Sequence, residues 1–142
     1  MNVMHISDVP TPALTVDVTA MGRNIATMAA FFKDGACRLR PHFKAHKTPE
    51  IARRQLAAGS VVGLTCATVA EAEVVAPFCQ DILVANEVVT PDKCRRLAAL
   101  ARTARLTVAV DSTAGLEAVA AAAAGAGVIV HVLVDVNVGQ NR

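Results

Sequence analysis

Between Leu39 and His46 the even positions are Arg40, His42, Lys44 and His46, and the odd ones are Leu39, Pro41, Phe43 and Ala45. Read as a β-strand, this segment puts cations and imidazoles on one face and apolar groups on the other. Strands buried on both faces of an α/β protein usually read as continuous Val, Ile and Leu, so a polar face there asks for a function. A lysine partly desolvated beside other cations keeps a fraction of neutral amine, which can attack a carbonyl carbon. The residues alone are compatible with an aldolase-type imine on Lys44, a pyridoxal phosphate imine on Lys44, or phosphate binding by Arg40, Lys44 and Lys47. The plainer alternative is a structural lysine at an edge or on the surface, the usual fate of a lysine in a strand.

A second segment has the same character. From Val130 to Val138 every even position is valine, while His131, Asp135 and Asn137 occupy odd ones. If the valine face packs on helices, Asp135 shares an interior with Lys44. His42 and His46 read as hydrogen-bonded interior residues rather than metal ligands, because no carboxylate sits beside them at ligand spacing. His131 reads as structural. Asp111 and the pair Asn86-Glu87 stand at strand ends, where polar residues occur with or without a role. Arg95, Arg96, Arg102 and Arg105 read as a solvated helix face. Cys37, Cys66, Cys79 and Cys94 lie 29, 13 and 15 positions apart, without a C-x-x-C pair, and read as buried free thiols.

The elements that position these residues repeat along the chain. Apolar β-branched runs begin near Arg38, Val61, Asp81, Arg105 and Val128, at intervals of 23, 20, 24 and 23 residues. Such intervals suit a strand, a loop and a short helix, hence a parallel sheet. Thr48-Pro49 and Thr90-Pro91 each set a hydroxyl N-cap before an N1 proline, and Thr68-Val69-Ala70-Glu71 has capping-box spacing. Helices are predicted over Thr19 to Lys33, Pro91 to Arg102 and Thr113 to Ala124, the last ended by Gly125 and Gly127, with a short strand over Ala13 to Asp17. Five strands with helices are a partial (β/α)8 TIM barrel, whose complete form takes about 250 residues. A doubly wound five-stranded sheet is the self-contained alternative.

Of the 142 residues, 54% are hydrophobic and 18% charged, which excludes a disordered tail. A formal charge of +2 and four aromatic residues, all Phe, argue against nucleic acid as a partner. No apolar run approaches the roughly 20 residues of a membrane span, and the first residues lack the pattern of a signal peptide. A cytoplasmic protein without membrane partners is expected.

The run Arg40-Pro41-His42-Phe43-Lys44-Ala45-His46-Lys47-Thr48 resembles the lysine motif of the D-threonine aldolase and D-serine dehydratase family. These are fold-type III pyridoxal phosphate enzymes with an alanine racemase-like N-terminal barrel. The likeness extends through Thr11-Pro12-Ala13, Cys66 to Glu73, Asp81 to Glu87 and Val136 to Arg142, and so spans nearly the whole chain. It implies that Lys44 carries the cofactor as an imine, with Lys47 a neighbour. It also implies that His42 and Arg40 line the pocket and that Arg142 approaches the cofactor ring hydroxyl.

The reaction implied is lyase chemistry on D-3-hydroxy amino acids, by retro-aldol cleavage or by elimination, with racemisation or non-catalytic cofactor carriage as alternatives. Relatives continue into further barrel strands and a C-terminal β domain with a His-x-Cys metal pair. Residues 1–142 therefore read as the N-terminal portion of such a barrel domain, without metal ligands of their own, whereas a divalent metal is compatible with a full-length parent. The small-molecule substrate is the expected partner, together with homodimerisation or association through open sheet edges.

Overall fold

The computed structural model describes residues 4–140. Five α-helices alternate with four short strands after an N-terminal arm: α1 (Val18–Phe32), α2 (Pro49–Ala57), β1 (Leu64–Cys66), α3 (Val69–Val75), β2 (Asp81–Glu87), α4 (Pro91–Leu100), β3 (Arg105–Val110), α5 (Thr113–Ala126) and β4 (His131–Val134). The strands form one sheet in the order β1-β2-β3-β4, every pair parallel. Each helix returns the chain to the same end of the sheet, so all strand C-termini collect along one edge. This is the βα repetition expected from the spacing, an open α/β unit consistent with part of a TIM barrel.

The helix starts follow local chemistry. The Asp17 carboxylate accepts from the Ala20 amide, Thr68 Oγ1 from that of Glu71, and the Ser112 hydroxyl from that of Gly115. Thr48 and Thr90 occupy N-cap positions before proline, yet neither makes a side-chain cap bond. Thr48 Oγ1 donates instead to the His46 carbonyl at 2.7 Å. At the end of α5, Gly127 adopts φ +64 and closes the helix with amide bonds to Ala123 and Ala124.

The core lies between sheet and helices. Leu64, Cys66, Ile82, Val84, Leu106 and Val108 from the strands meet Val75, Cys79 and Leu97 from the helical side, all essentially sealed from solvent. Cys37 differs from the other three thiols and is exposed, against expectation, because it sits in the irregular segment after α1 rather than on a packed element.

Three predicted strands need correction. Ala13 to Asp17 pairs with no strand among the described residues; it is exposed and leads into the α1 cap. The segment from Arg38 is no regular strand either: it touches the sheet through two isolated parallel bridges, Leu39 with Val61 and His42 with Thr65, and then turns into a 3-10 helix over Phe43–Ala45. Pro41 has no amide to give a ladder, which weakens pairing there. The run expected from Val128 pairs only from His131, because the Val128 amide is spent on the Ala123 carbonyl at the end of α5. The valine face is not buried: Val132 and Val134 of β4 are exposed.

The N-terminal end of the sheet is held by charge. Asp81 accepts from Arg40 Nη1 at 2.9 Å on Oδ1 and from Arg105 Nη1 at 3.2 Å on Oδ2. Arg40 also reaches the Asp81 carbonyl at 3.2 Å. Gly63 lies beneath this contact, where a Cβ would collide with the Asp81 carbonyl oxygen and with Arg40 Nη1. Gly63→Ala is therefore expected to destabilise the chain by about 1–3 kcal/mol in urea unfolding. Gly125→Ala, in open space within α5, is expected to stabilise it by about 0.5–1 kcal/mol. Equal effects of the two would refute this account.

Candidate functional site

The 3-10 turn stands at the C-terminal edge of the sheet, directly after the segment that pairs with β1. Its formation is local. The Lys44 amide donates to His42 Nδ1 at 3.3 Å, and the Lys47 amide donates to the Phe43 carbonyl at 2.8 Å. Phe43 is buried in the core and holds the turn down, while Lys44 is exposed just beyond it. His46 packs edge-on against Phe43, bonds Gln55 of α2 through Nε2 at 3.2 Å and takes the Thr48 amide on Nδ1 at 3.1 Å. His46 is thus a structural residue of the turn, as its sequence setting implied.

His42 accepts on Nδ1, so its bonding assigns the neutral tautomer with the proton on Nε2. Burial first, and then the adjacent Lys44 ammonium, push its pKa below the usual 6.5, against smaller opposing effects of Glu71 and the Thr65 backbone.

Facing the turn is the loop after β1. Glu71, in the first turn of α3, is the one buried charged residue among those described. Its Oε2 accepts the Ala67 amide at 2.7 Å, and its Oε1 lies 3.4 Å from Lys47 Nζ. Asn86 Nδ2 donates to the Ala67 carbonyl at 3.1 Å, so both sides of that residue are fixed. Asn86 can reach across because the β2–β3 register shifts between Val84 and Glu87, a bulge of the kind that re-aims side chains beside functional sites. Next to Glu71, burial together with the Glu71 and Cys79 charges pushes the Cys66 thiol up to about 12, so it is no nucleophile at neutral pH.

The structure therefore brings Lys44, His42, Lys47 and Glu71 to one edge and leaves Arg40 at the other end of the sheet, engaged with Asp81. No ion pair joins Lys44 and Asp135 among the described residues. Asp135 follows β4, and from the Lys44 segment to β4 is four strand spacings, about 19 Å along the sheet. Asp111 is exposed after β3, and His131 is exposed on β4. Arg142 lies outside the described residues. The arginines expected to be solvated have partners. Arg96 of α4 clasps Glu73 of α3 at 2.8 and 2.6 Å, holding the Glu73 carboxyl below its usual range, and Arg102 donates to the Ala126 carbonyl at 3.1 Å.

Glu71 is the site residue that sequence reasoning missed. The signal was the capping-box spacing, which accounts for a helix start and says nothing of the second oxygen free to meet a lysine.

An apolar cavity of about 270 Å³ lies between α1 and the Leu39–Pro41 segment, bounded by Ile25, Met28, Pro41 and Val61; neither His42 nor Lys44 lines it. Among the described residues no three His, Cys, Asp or Glu side chains converge to hold a metal ion, and no helix is long and apolar enough to cross a membrane.

A parallel α/β unit with a lysine turn at its C-terminal edge is a fold class that places chemistry where strands end. The family described as alanine racemase, N-terminal domain, matches residues 16–142, and the chain belongs to that family. It is 45% identical over 138 residues to a D-threonine aldolase of Arthrobacter sp., covering 96% of this chain and 36% of that protein. It is 35% identical over 133 residues to the D-threo-3-hydroxyaspartate dehydratase of Delftia sp., covering 93% of this chain and 35% of that protein. Among solved structures, the D-threonine aldolase from Filomicrobium marinum superposes with a TM-score of 0.92 at 45% identity, covering 96% of this chain and 37% of that one. The chain thus spans little more than a third of the length of these relatives.

His42 offers a direct test of the site's electrostatics. Its folded pKa is lowered, so the neutral ring favours folding above the unfolded value of 6.5, and this contribution is lost as pH falls from 6.5 through the folded pKa. The imidazole Cε1 proton is expected to titrate below 6.5 in NMR, and Lys44→Ala should move the midpoint upward without restoring it fully, because burial is the larger cause. A midpoint at or above 6.5 in the unaltered chain would contradict the geometry.

Proposed function

We propose that this unit is the lysine-bearing part of a cytoplasmic pyridoxal phosphate lyase acting on D-3-hydroxy amino acids, and that Lys44 is its anchoring amine. The observation that carries this reading is the exposed Lys44 amine on a turn at the strand edge. Among the described residues it holds no ion pair, whereas Lys47 does. Such an amine fits the aldehyde end of pyridoxal phosphate, since nothing in the described structure must be broken to free it.

When bound, the cofactor supplies an electron sink for a bond broken at the substrate's Cα. The chain's own residues supply placement. Phe43 fixes the turn in the core, and His42 holds the Lys44 amide. The His42 ring, biased toward its neutral form, adds no second positive charge beside the amine. Asn86 and Glu71 hold the facing loop at Ala67. Arg40 acts through the Asp81 contact that secures the segment leading to the turn, a supporting role rather than a pocket-lining one.

Retro-aldol cleavage, giving glycine and an aldehyde, ranks ahead of elimination because the likeness to the aldolases is the greater. Pairing through the free edge of β4, with a further segment or a second copy, would satisfy its open backbone groups.

The test is to mix the chain with pyridoxal phosphate, reduce with borohydride and map the modified lysine by peptide mass spectrometry. Lys44 should carry the label, and Lys44→Ala should lower total labelling by about tenfold or more. Prior addition of D-threonine should reduce the Lys44 label more than L-threonine does. Labelling scattered over all lysines would sink the proposal, and equal effects of the two enantiomers would remove the D-amino acid assignment.

A further inference from the structure

Two lysines three residues apart stand on the same turn, and exposure does not distinguish them: the Lys47 side chain is 70% exposed, so an aldehyde can reach it as readily as Lys44. They differ in their partners. Lys47 Nζ lies 3.4 Å from Glu71 Oε1, and the Glu71 side chain is only 10% exposed. The other carboxylate oxygen is taken by the Ala67 amide at 2.7 Å, which holds Glu71 in place from its other side. Lys47 also holds φ +49, in the left-handed region that a non-glycine residue adopts at a cost of order 1 kcal/mol and keeps only where its surroundings fix it. The Lys47 amide bond to Phe43 and the ion pair are two such fixtures.

We propose that Glu71 selects which lysine reacts: it engages Lys47 in an ion pair, leaving Lys44 as the lysine of the turn without one. For Lys47 to form an imine it must surrender a proton, add its nitrogen to the carbonyl carbon and expel water. Its ion pair is lost in doing so, and a buried carboxylate is left without a counter-charge, an arrangement that proteins disfavour strongly. Lys44 meets no such penalty. Glu71 is thus a positioning residue that acts through Lys47. The choice of Lys44 as anchor rests on the proposed function, but the restraint on Lys47 does not.

The test separates the two. The chain is treated with a neutral acetylating reagent, which needs no cofactor site, and in parallel with pyridoxal phosphate and borohydride, each followed by peptide mapping. In the unaltered chain Lys47 should acetylate several-fold more slowly than Lys33 and Lys93, exposed lysines without an ion pair among the described residues. This comparison requires no variant and so stands even if a substitution fails to fold. Glu71→Gln, which keeps an acceptor for the Ala67 amide but removes the charge, should bring Lys47 to the rate of Lys33 and Lys93 and raise its share of the cofactor label at least threefold. Thr68→Ala loosens the same helix start without touching the charge and should leave Lys47 slow.

Lys47 reacting as fast as Lys33 in the unaltered chain, or Thr68→Ala matching Glu71→Gln, would overturn the inference. If Lys44 takes no cofactor label while Lys47 remains slow to acetylate, the proposed function fails and the restraint on Lys47 survives.

Discussion

The Lys44 amide is bonded at 3.3 Å by the imidazole two residues before it and not by a neighbouring strand, and the position of the lysine turn follows from that bond. Had the segment continued as a strand, its alternate side chains would have run on past the sheet without bending. Pro41 removes one ladder donor, the His42 ring captures the Lys44 amide, and burial of Phe43 makes the resulting turn part of the core. Only the neutral ring has an Nδ1 lone pair for this purpose. Burial and the Lys44 charge both favour that neutral form, so the backbone bond and the local electrostatics reinforce each other.

The stabilising ion pairs around Asp81 and the lysine turn lie at opposite ends of the sheet. At the N-terminal end Asp81 ties Arg40 and Arg105 over Gly63, binding the first segment, β2 and β3 together. At the C-terminal end the loop after β1 and the bulge in β2 face the lysine turn. This division explains why Arg40, on the same face as His42 by parity, does not join it. Alternation says which face a side chain occupies, but a long guanidinium chooses its end of the sheet by where a carboxylate waits.

The repeating architecture was legible in the sequence because hydrophobic runs, prolines at helix starts and the αL glycine at the end of α5 are local signals that tertiary packing did not override. The lysine turn was legible as chemistry but not as geometry: four alternating residues look like a strand, and competition from an imidazole for one amide leaves no mark on the hydrophobic pattern. Glu71 was seen as half of a capping box, yet its pairing with Lys47 crosses 24 residues and a strand, a distance at which spacing rules fall silent. The exposed valines of β4 misled in the opposite direction. Their alternation is that of a half-buried strand, and the described chain offers nothing to bury them.

The groups that shape the turn all come from residues 39–87, that is, from the first segment, α2, β1, α3 and the bulged end of β2. None depends on β4, whose apolar face is open. A unit organised in this way can present an amine in a fixed direction, which is a requirement common to cleavage and to elimination at a substrate's Cα. Choosing between those two reactions requires groups aligned with one substrate bond rather than another, and a geometry that serves both equally supplies none of that preference. On the proposed function, the contribution of this stretch is anchorage, and on the further inference Glu71 decides which of the two lysines provides it.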